Sequence, residues 1–405
     1  MKVDPQQFIE DGYVIVRECV PPEQLDELRD SFEVLVDRQR AIWRREREPN
    51  DPPGGVWDTY QQPRVIFDTV VDEPTSNTIE FCLHENTMGV ARQLMRAPDV
   101  GISQMAIMCN PVADHGPWRW HRDSSPAKNP PVEGLAMDMI ENGPGYVQWN
   151  IPLYDDNVLW VVPGSHRRAN TEEEERQLLT DPKTPLPGAV PVELKAGDGV
   201  VYTNFILHWA SNYTPKLRRT IHIGYQSFGG PLYRYFSLRW NLEFTKNLTH
   251  SLRKHFEHWA RLKSHEHDLI ENVYRAMLDR NPAGFHKGLA ALHPGENGRM
   301  VCAVLLCKIA QIIHAMTRPG FPSLPIEEKF RIVRPDEAYL YEDVACRFTV
   351  DEIDVLWQRF LPLDAALQTD ETHVIAHAFS IATTYRSDKM PADFEVDDFI
   401  ESWGV

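Results

Sequence analysis

Trp118-Arg119-Trp120-His121-Arg122-Asp123 is the stretch of sequence from which the fold and the chemistry can be argued. It lies between two turn-forming segments, Asn110-Pro111 and Ser124-Ser125-Pro126, and this pattern predicts a β-strand. Alternate side chains of a strand share a face, so His121 and Asp123 are expected to lie side by side. An imidazole and a carboxylate in this relation are two of the three ligands of the 2-His-1-carboxylate triad that binds non-haem Fe(II). A His-x-Asp pair alone is a weak signal, and the triad needs a second histidine from elsewhere in the chain.

The composition is that of a globular enzyme. Of the 405 residues, 42% are hydrophobic and 25% are charged, which is enough for a full hydrophobic core. The 59 acidic residues outnumber the 42 basic residues, and the net charge of −17 argues against nucleic acid or an anionic membrane as the main partner. We therefore expect a small-molecule substrate.

The cysteines and the first residues favour a cytoplasmic location. The six cysteines are scattered without Cys-x-x-Cys spacing, so neither a disulfide framework nor a zinc knuckle is expected. A reducing compartment is the simpler interpretation. Residues 1–10 lack the basic region and the apolar run of a signal peptide.

Residues 1–240 are expected to form one domain with a mainly β core. A helix, a glycine stop and a strand are predicted over residues 8–16, and further helices are predicted after Pro21-Pro22 and over residues 77–95. Strand signals follow one another from 145 to 230, including 190–194 and 200–207. Many short strands with helices on their N-terminal side predict a sheet sandwich or a squashed barrel.

Residues 241–405 are expected to form an α-helical extension. Helices are predicted over 250–279, 300–316, 350–360 and 373–385. The segment 300–316 is the longest apolar stretch, and we expect it to be too short to span a bilayer. Because so apolar a helix is not left exposed, we interpret the extension as a partial lid combined with a homo-oligomer contact.

A second histidine and a basic pair follow the Gly197-Asp198-Gly199 turn. The strand after this turn is predicted to end at His208, and Arg218-Arg219 begins the next strand ten residues later. We expect the two strands to pair like a hairpin, with one arginine on the same inner wall as His208. An arginine there can hold the distal carboxylate of a dicarboxylic acid by a bidentate pair.

Other histidines have simpler interpretations. His166 competes with His208 as the third ligand, but in its Pro-Gly-Ser-His turn it is expected to hydrogen-bond the turn backbone. His222 could line the cavity, but a core histidine with satisfied hydrogen bonds is the favoured interpretation. Five histidines of the helix over 250–279 are expected to form a solvated face rather than a second metal site: His250, His255, His258, His265 and His267.

The neighbours of His121 have functions that the pattern leaves open. Arg119 shares the face of His121 and Asp123 if the strand is regular. It therefore either binds an acidic group of the substrate or pairs with a nearby carboxylate. Trp118 and Trp120 are then expected to face the packing core.

Five blocks in the first 230 or so residues resemble, in order, the phytanoyl-CoA dioxygenase family of Fe(II)- and 2-oxoglutarate-dependent oxygenases. Five blocks in the right order are more specific than any one of them. The blocks are Asp11-Gly12-Tyr13-Val14-Ile15-Val16, Trp120-His121-x-Asp123, the Pro163-Gly164-Ser165-His166 turn, the Gly197-Asp198 turn leading to His208, and Asn212 with Arg218-Arg219.

This resemblance implies a double-stranded β-helix, the jelly-roll or cupin-like fold, in which His121, Asp123 and His208 bind iron. It also implies that one arginine of the pair binds 2-oxoglutarate. Alignment on Asn212 and on the following strand favours Arg218, whereas counting from His208 leaves Arg219 open. Trp149 occupies the family position that flanks the co-substrate.

The activity implied by the resemblance is oxidation of a substrate by O2, with conversion of 2-oxoglutarate to succinate and CO2. Related halogenases have a small residue where this chain has Asp123, so hydroxylation, desaturation or ring formation is expected. The sequence departs from the family pattern at two places in the expected co-substrate pocket. Ala210 stands where family members often have a small hydroxyl residue, and the lysine that they often carry before the iron motif is replaced around Cys109-Asn110-Pro111. The alternative is a barrel that binds a ligand or partner without turnover.

Overall fold

The computed structural model describes residues 2–229, 232, 242–296, 298–335, 337–377, 379–392 and 394–403. The strands are β1 Tyr13–Val16, β2 Arg64–Ile66, β3 Asp99–Cys109, β4 Tyr146–Pro152, β5 Leu159–Val161, β6 Val190–Pro191, β7 Gly199–Tyr202, β8 His208–Ala210, β9 Arg219–Phe228, β10 Gln368–His377 and β11 Phe379–Tyr385. The helices are α1 Pro5–Asp11, α2 Leu25–Arg45, α3 Val56–Thr59, α4 Phe67–Val70, α5 Asn77–Leu83, α6 Val90–Met95, α7 Val132–Asn142, α8 Glu172–Thr180, α9 His250–Leu278, α10 Pro282–Leu292, α11 Arg299–Met316, α12 Ile326–Ile332, α13 Ala338–Ala345, α14 Val350–Ala366 and α15 Val396–Glu401.

Two antiparallel sheets form the core of the N-terminal region. The larger has the strand order β1-β7-β4-β9-β3-β2, and the smaller has the order β6-β5-β8. Val200 and Tyr202 of β7 pack against Leu159 and Val161 of β5, so the two sheets face each other. The β core expected from the sequence is present, with helices on its outer side.

The two faces of β4 differ in polarity. Trp149 and Ile151 point outward and pack with Phe8 of α1 and Phe32 of α2. Their neighbours, Gln148 and Asn150 among them, point to the inner side because successive strand residues alternate. The outer face is therefore the apolar core, and the inner face carries polar groups.

The N-terminal elements follow the sequence pattern closely. Gly12 ends α1 with φ +84, the left-handed conformation that favours glycine, and β1 begins at the next residue. Helix α2 buries a stripe that includes Leu28, Phe32 and Leu35, as its periodicity predicts. The single helix predicted over 77–95 is instead α5 and α6 separated by a π-helical turn, Glu85–Gly89.

Several predicted strands are wrong in extent. The stretch 118–123 is extended but is not a continuous strand, because Trp120 donates its amide hydrogen to Pro182 while its neighbours bond towards β8. The strand predicted over 200–207 ends at Tyr202, and the one predicted over 190–194 ends at Pro191. The helix α7 was not predicted.

The expected hairpin between the His208 and Arg218-Arg219 segments is also wrong. His208 begins β8, which pairs with β5 in the small sheet. Arg219 begins β9, which pairs with β3 and β4 in the large sheet. The two segments lie in opposing sheets, so they face each other across the interior instead of lying side by side.

The C-terminal region is mostly helical and has its own apolar core, built largely from α9, α10, α11, α13 and α14. The first turns of α9 belong to the other core, since Phe256 and Trp259 pack against the outer helices of the sheet region. The domain boundary expected at Asn241 lies outside the described residues, and the division at that point stays a prediction.

The helix predicted over 373–385 is wrong. This segment forms the antiparallel pair β10 and β11, which has a register shift between Gln368 and His373. The physical reason is its content of β-branched and aromatic residues, including Val374, Ile375, Ile381, Thr383 and Tyr385, which favour strands over helices.

Helix α11 is long and apolar enough to cross a membrane by length and composition, which corrects the expectation that it is too short. Its most apolar window is 67% buried inside the protein, however, and residues such as Val304, Leu306 and Ile313 lie in the C-terminal core. The helix is therefore a core helix of this region.

Candidate metal centre

His121 and His208 are held together by their own backbones. They form an isolated antiparallel bridge in which each amide hydrogen is donated to the other residue's carbonyl oxygen, with N···O distances of 3.0 Å. Their ring centroids lie 4.2 Å apart. The bridge joins the 118–123 stretch to the first residue of β8, and so it brings the distant histidine to the His-x-Asp pair.

The two histidine rings present the same nitrogen to Asp123. The Nδ1 atom of His121 lies 2.9 Å from the carbonyl oxygen of Arg119, and that of His208 lies 2.9 Å from the carbonyl of Ile206. A carbonyl only accepts, so each Nδ1 carries the hydrogen and each Nε2 can offer its lone pair to a metal ion. These Nε2 atoms lie 3.7 Å and 3.4 Å from the Asp123 carboxylate.

Asp123 is fixed by hydrogen bonds to its backbone and side chain. Its amide donates to the carbonyl of Asn204, and the Asn204 side chain donates to the Asp123 carbonyl. Gln148 donates from Nε2 to Oδ2 of the carboxylate at 3.1 Å. Loss of water raises the pKa of the carboxyl, but His208, His121 and Gln148 hold this pKa well below its usual value. The carboxylate is therefore ionised and ready to bind a cation.

This donor set fits an iron ion. The ligand atoms of His121, Asp123 and His208 lie within 4.8 Å of one another, and this is the group of potential metal ligands found among the described residues. Two imidazole nitrogens and one carboxylate oxygen are the donors of the facial triad. Hydrogen bonds from each Nδ1 to a carbonyl are the usual support of metal-binding histidines.

Arg122 supports the site from behind. It points away from Asp123 and donates to the carbonyls of Ser165, Phe205 and Arg168 and to the side chain of Asn170. Burial lowers the pKa of its guanidinium to about 10, so the group remains charged near neutral pH. Arg122 thus ties the loop before β8 to the loop after β5, a role that sequence reasoning missed.

The two arginines of the pair point to opposite sides of the sheet. Arg219 lies on the outer face, where Nε donates to Glu33 of α2 at 2.6 Å. Arg218 lies inside, where Nε donates to Asp156 at 2.7 Å and Nη1 is buried without a hydrogen-bond partner among the described residues. An orphaned buried guanidinium nitrogen is what an absent carboxylate would satisfy.

Trp149 does not lie where it was expected. Trp149 is fully buried on the outer face of β4, so the inner position expected for it belongs to Gln148 and Asn150. The sequence signal for these two is the alternation of polar and apolar residues along β4. Arg119 is exposed, and its carbonyl supports His121.

The competing histidines have other partners. His166 donates from Nε2 to the carbonyl of Ile9 in α1, not to its own turn, and burial lowers its pKa to about 4. His222 is satisfied at both nitrogens, by Asn150 and by Gln104, as the favoured interpretation predicted. On α9, His258 pairs with Asp99. The residues described in α9 contribute to no metal-ligand group.

The tryptophans of the triad stretch are part of the packing behind it. Trp120 is fully buried and stacks on Trp209 of β8 with ring centroids 5.3 Å apart. The indole of Trp209 donates to the carbonyl of Trp118. This packing fixes the stretch against the small sheet, so the expected core role of Trp120 is confirmed.

Comparison with protein families gives one match. Residues 8–220, more than half of the chain, match the family model described as phytanoyl-CoA dioxygenase. This range contains His121, Asp123, His208 and Arg218. No curated protein matches the chain.

Three solved structures illustrate the similarity of the chain to known structures. EctD from S. alaskensis with 2-oxoglutarate and 5-hydroxyectoine is 17% identical, covers 56% of this chain and 77% of its own, and has a TM-score of 0.40. AviO1 from Streptomyces viridochromogenes is 22% identical, covers 57% and 99%, and has a TM-score of 0.40. HygX from Streptomyces hygroscopicus with nickel and 2-oxoglutarate is 13% identical, covers 56% and 88%, and also has a TM-score of 0.40. Scores this low establish neither a shared fold nor a shared function.

Proposed function

The chain belongs to the phytanoyl-CoA dioxygenase family, and we propose that it is an Fe(II)- and 2-oxoglutarate-dependent dioxygenase that hydroxylates, or otherwise oxidises, a small organic substrate. The observation that carries this proposal is the convergence of His121, Asp123 and His208, whose ligand atoms lie within 4.8 Å of one another. Iron is the metal that this donor set favours in oxygenases.

We assign the sheet region to the double-stranded β-helix fold. Its support is the pair of facing antiparallel sheets and the position of the three ligands on the small-sheet side, where β8 meets the 118–123 stretch. Ligands placed in this way face the polar inner side of β4. The triad then lies between the two sheets, at a position where a substrate can approach it.

The residues of the chain bind and orient the reacting groups. His121 and His208 would each hold an iron ion through Nε2, and Asp123 would hold it through a carboxylate oxygen. When bound, the iron and 2-oxoglutarate supply the oxidising chemistry, with release of succinate and CO2. Arg218 holds the distal carboxylate of 2-oxoglutarate with Nη1, since Asp156 occupies its Nε side.

The substrate is a small molecule, and an acidic group on it would be bound by the exposed Arg119.

The C-terminal helices act as a partial lid and as a homo-oligomer contact. Support for the lid is the position of Phe205, which follows Asn204 in the chain and packs in the apolar core of the C-terminal region. Since the Asn204 side chain donates to the carbonyl of Asp123, the segment that packs on the C-terminal core also contacts a metal ligand. A cytoplasmic location stays a prediction.

Anaerobic equilibrium dialysis with Fe(II) tests the metal assignment. We expect the wild type to bind one iron per chain, and His208→Ala to weaken binding by more than the roughly 10–100-fold cost of losing an outer-shell partner. The matched control is His258→Ala, which removes an imidazole from α9 and is expected to bind as the wild type does. Equal iron binding by all three proteins would overturn the assignment and would favour a barrel without turnover.

A further inference from the structure

A cluster of tryptophans lies directly behind the two histidine ligands. Trp120 precedes His121 in the chain and Trp209 follows His208, so each indole belongs to the residue next to a ligand. Consecutive Cα atoms are only about 3.8 Å apart. Because successive residues of an extended segment point to opposite sides, the two indoles lie on the outer side of the small sheet, behind the imidazoles.

The cluster continues from these two side chains to the protein surface. The ring of Trp120 stacks on that of Trp209 with centroids 5.3 Å apart, and the ring of Trp160 meets that of Trp209 edge-on at 5.8 Å. Both distances are within the range of direct aromatic contact. Trp120 and Trp209 are buried, whereas Trp160 on β5 is partly exposed. The three indoles therefore form a continuous line of contact from both ligand segments to solvent.

The surroundings hold the two buried indoles in fixed positions. The indole of Trp120 donates to the carbonyl of Thr184 at 2.7 Å, and that of Trp209 donates to the carbonyl of Trp118 at 2.9 Å. The side chains that pack around the rings are apolar: Val162, Leu178, Leu186 and Leu207. Indole loses an electron more readily than the other aromatic side chains. A line of indoles in fixed contact can therefore carry electrons between the ligand segments and solvent.

We propose that Trp120, Trp209 and Trp160 form an electron-transfer path that returns the iron to its ferrous state when O2 and 2-oxoglutarate react without substrate. This inference rests on the proposed function. In that event 2-oxoglutarate supplies two of the four electrons that O2 takes up, and two oxidising equivalents remain at the metal centre. Two electrons pass one after the other from a soluble enediol, such as ascorbate, through Trp160 and Trp209. The two protons of the enediol complete a water molecule, and the enediol is left as the diketone.

Without the enediol, the two electrons come from the indoles themselves. The partly exposed Trp160 is the ring that water reaches. It gives up two electrons, loses a ring hydrogen as a proton and takes a hydroxyl group from water, whose other proton is released. Oxidation of Trp160 is therefore the chemical trace of the path, and a tryptophan that served only for packing would not collect it.

The test maps oxidised residues in the full chain by mass spectrometry of its peptides. The Fe(II)-loaded protein is given 2-oxoglutarate and air, without substrate or reductant, and samples are compared at equal succinate formation. We expect Trp160 to gain oxygen in the wild type and to lose this gain when ascorbate is added. Trp209→Phe removes the middle indole and should abolish the gain at Trp160. The matched control is Trp43→Phe, which makes the same change at the contact of Trp43 with Trp57 and should leave the gain unchanged.

A second variant, Trp160→Phe, keeps the buried contact of Trp120 with Trp209 and tests the path even if Trp209→Phe does not fold. In this variant the oxidation should move back to Trp209. Succinate formation by the wild type without oxidation of Trp160, equal oxidation of Trp160 in Trp209→Phe, or oxidation in Trp160→Phe that avoids Trp209 would each overturn the path alone. A wild type that forms no succinate would overturn the proposed function, and this inference with it.

Discussion

Gln148 of β4 donates from Nε2 to Oδ2 of Asp123 across 3.1 Å, and so the large sheet fixes a carboxylate that belongs to the opposite side of the interior. The same oxygen lies 3.4 Å from Nε2 of His208. Gln148 therefore helps to fix the orientation of the Asp123 carboxylate relative to the imidazoles of His121 and His208. It is the connection between the wall of the large sheet and the metal ligands.

Gln148→Leu should weaken iron binding without removing a ligand. The leucine keeps the volume of the side chain but leaves the Asp123 carboxylate free to rotate, and loss of such an outer-shell partner typically costs about 10–100-fold in metal affinity. Anaerobic Fe(II) dialysis measures the change. Gln177→Leu, on α8, is the control that should bind iron like the wild type, and an unchanged affinity in Gln148→Leu would contradict the role given to Gln148.

Substitution of Arg218 should weaken 2-oxoglutarate binding, whereas substitution of Arg219 should lower the stability of the fold. Arg218→Gln removes the orphaned Nη1 and is expected to weaken 2-oxoglutarate binding by at least about tenfold. Arg219→Gln removes the hydrogen-bonded ion pair between the buried Arg219 side chain and the partly exposed Glu33, and is expected to lower the free energy of unfolding by about 1–3 kcal/mol. Calorimetry and urea unfolding measure the two effects. If Arg219→Gln weakens 2-oxoglutarate binding and Arg218→Gln does not, the assignment of the anchor is wrong.

Gly224→Ala should disturb the polar wall beside the site. A Cβ atom at this position of β9 would lie 2.4 Å from the Tyr146 hydroxyl and 2.8 Å from Cγ of Gln104. The hydrogen bond between those side chains and the one from Gln104 to His222 would be lost or shifted. We expect the free energy of unfolding to fall by about 1–3 kcal/mol, measured by urea denaturation. Gly320→Ala, with nothing within 4 Å, is the control, and equal losses in both variants would refute this account of Gly224.

His166 should make the fold sensitive to acid. Burial lowers its pKa in the folded protein from 6.5 to about 4, so the unfolded chain binds a proton more readily between these values. Stability is therefore unaffected above about pH 6.5 and is lost as the pH falls from there towards 4, by up to about 3 kcal/mol. Unfolding measured from pH 7.5 to 4 should show a smaller loss for His166→Gln than for the wild type. Parallel profiles would show that His166 does not titrate in this way.

The three candidate metal ligands can be predicted from the sequence, but the pairing of the strands around them cannot. The spacing of His121 and Asp123 predicts that their side chains lie on one face of the chain. The family resemblance identifies His208 as the third ligand. Both predictions depend only on short segments of sequence. The hairpin expected between His208 and Arg218 failed, since strand pairing is decided by contacts between distant segments. The choice between Arg218 and Arg219 needed the register of β9, because a shift by one residue exchanges the two faces of a strand.

Side-chain direction explains the other differences. Trp149 lies outside and Gln148 inside because β4 packs its apolar side on α1 and α2, which the polar and apolar alternation along β4 does signal. The hydrogen bonds of Arg122 are made to partners more than 40 residues away in the chain, so no local pattern predicts them. In the segment 373–385, the β-branched residues favour strands more strongly than the spacing of its apolar residues favours a helix.

Succinate formation tests the central claim most directly. The anaerobically purified protein is given Fe(II), 2-oxoglutarate and air, and is compared with His208→Ala and with the control His258→Ala. The account predicts slow succinate production by the wild type and by His258→Ala even before the substrate is known, and none above background by His208→Ala. Undiminished succinate production by His208→Ala, or a wild type that neither binds iron nor forms succinate, would contradict it.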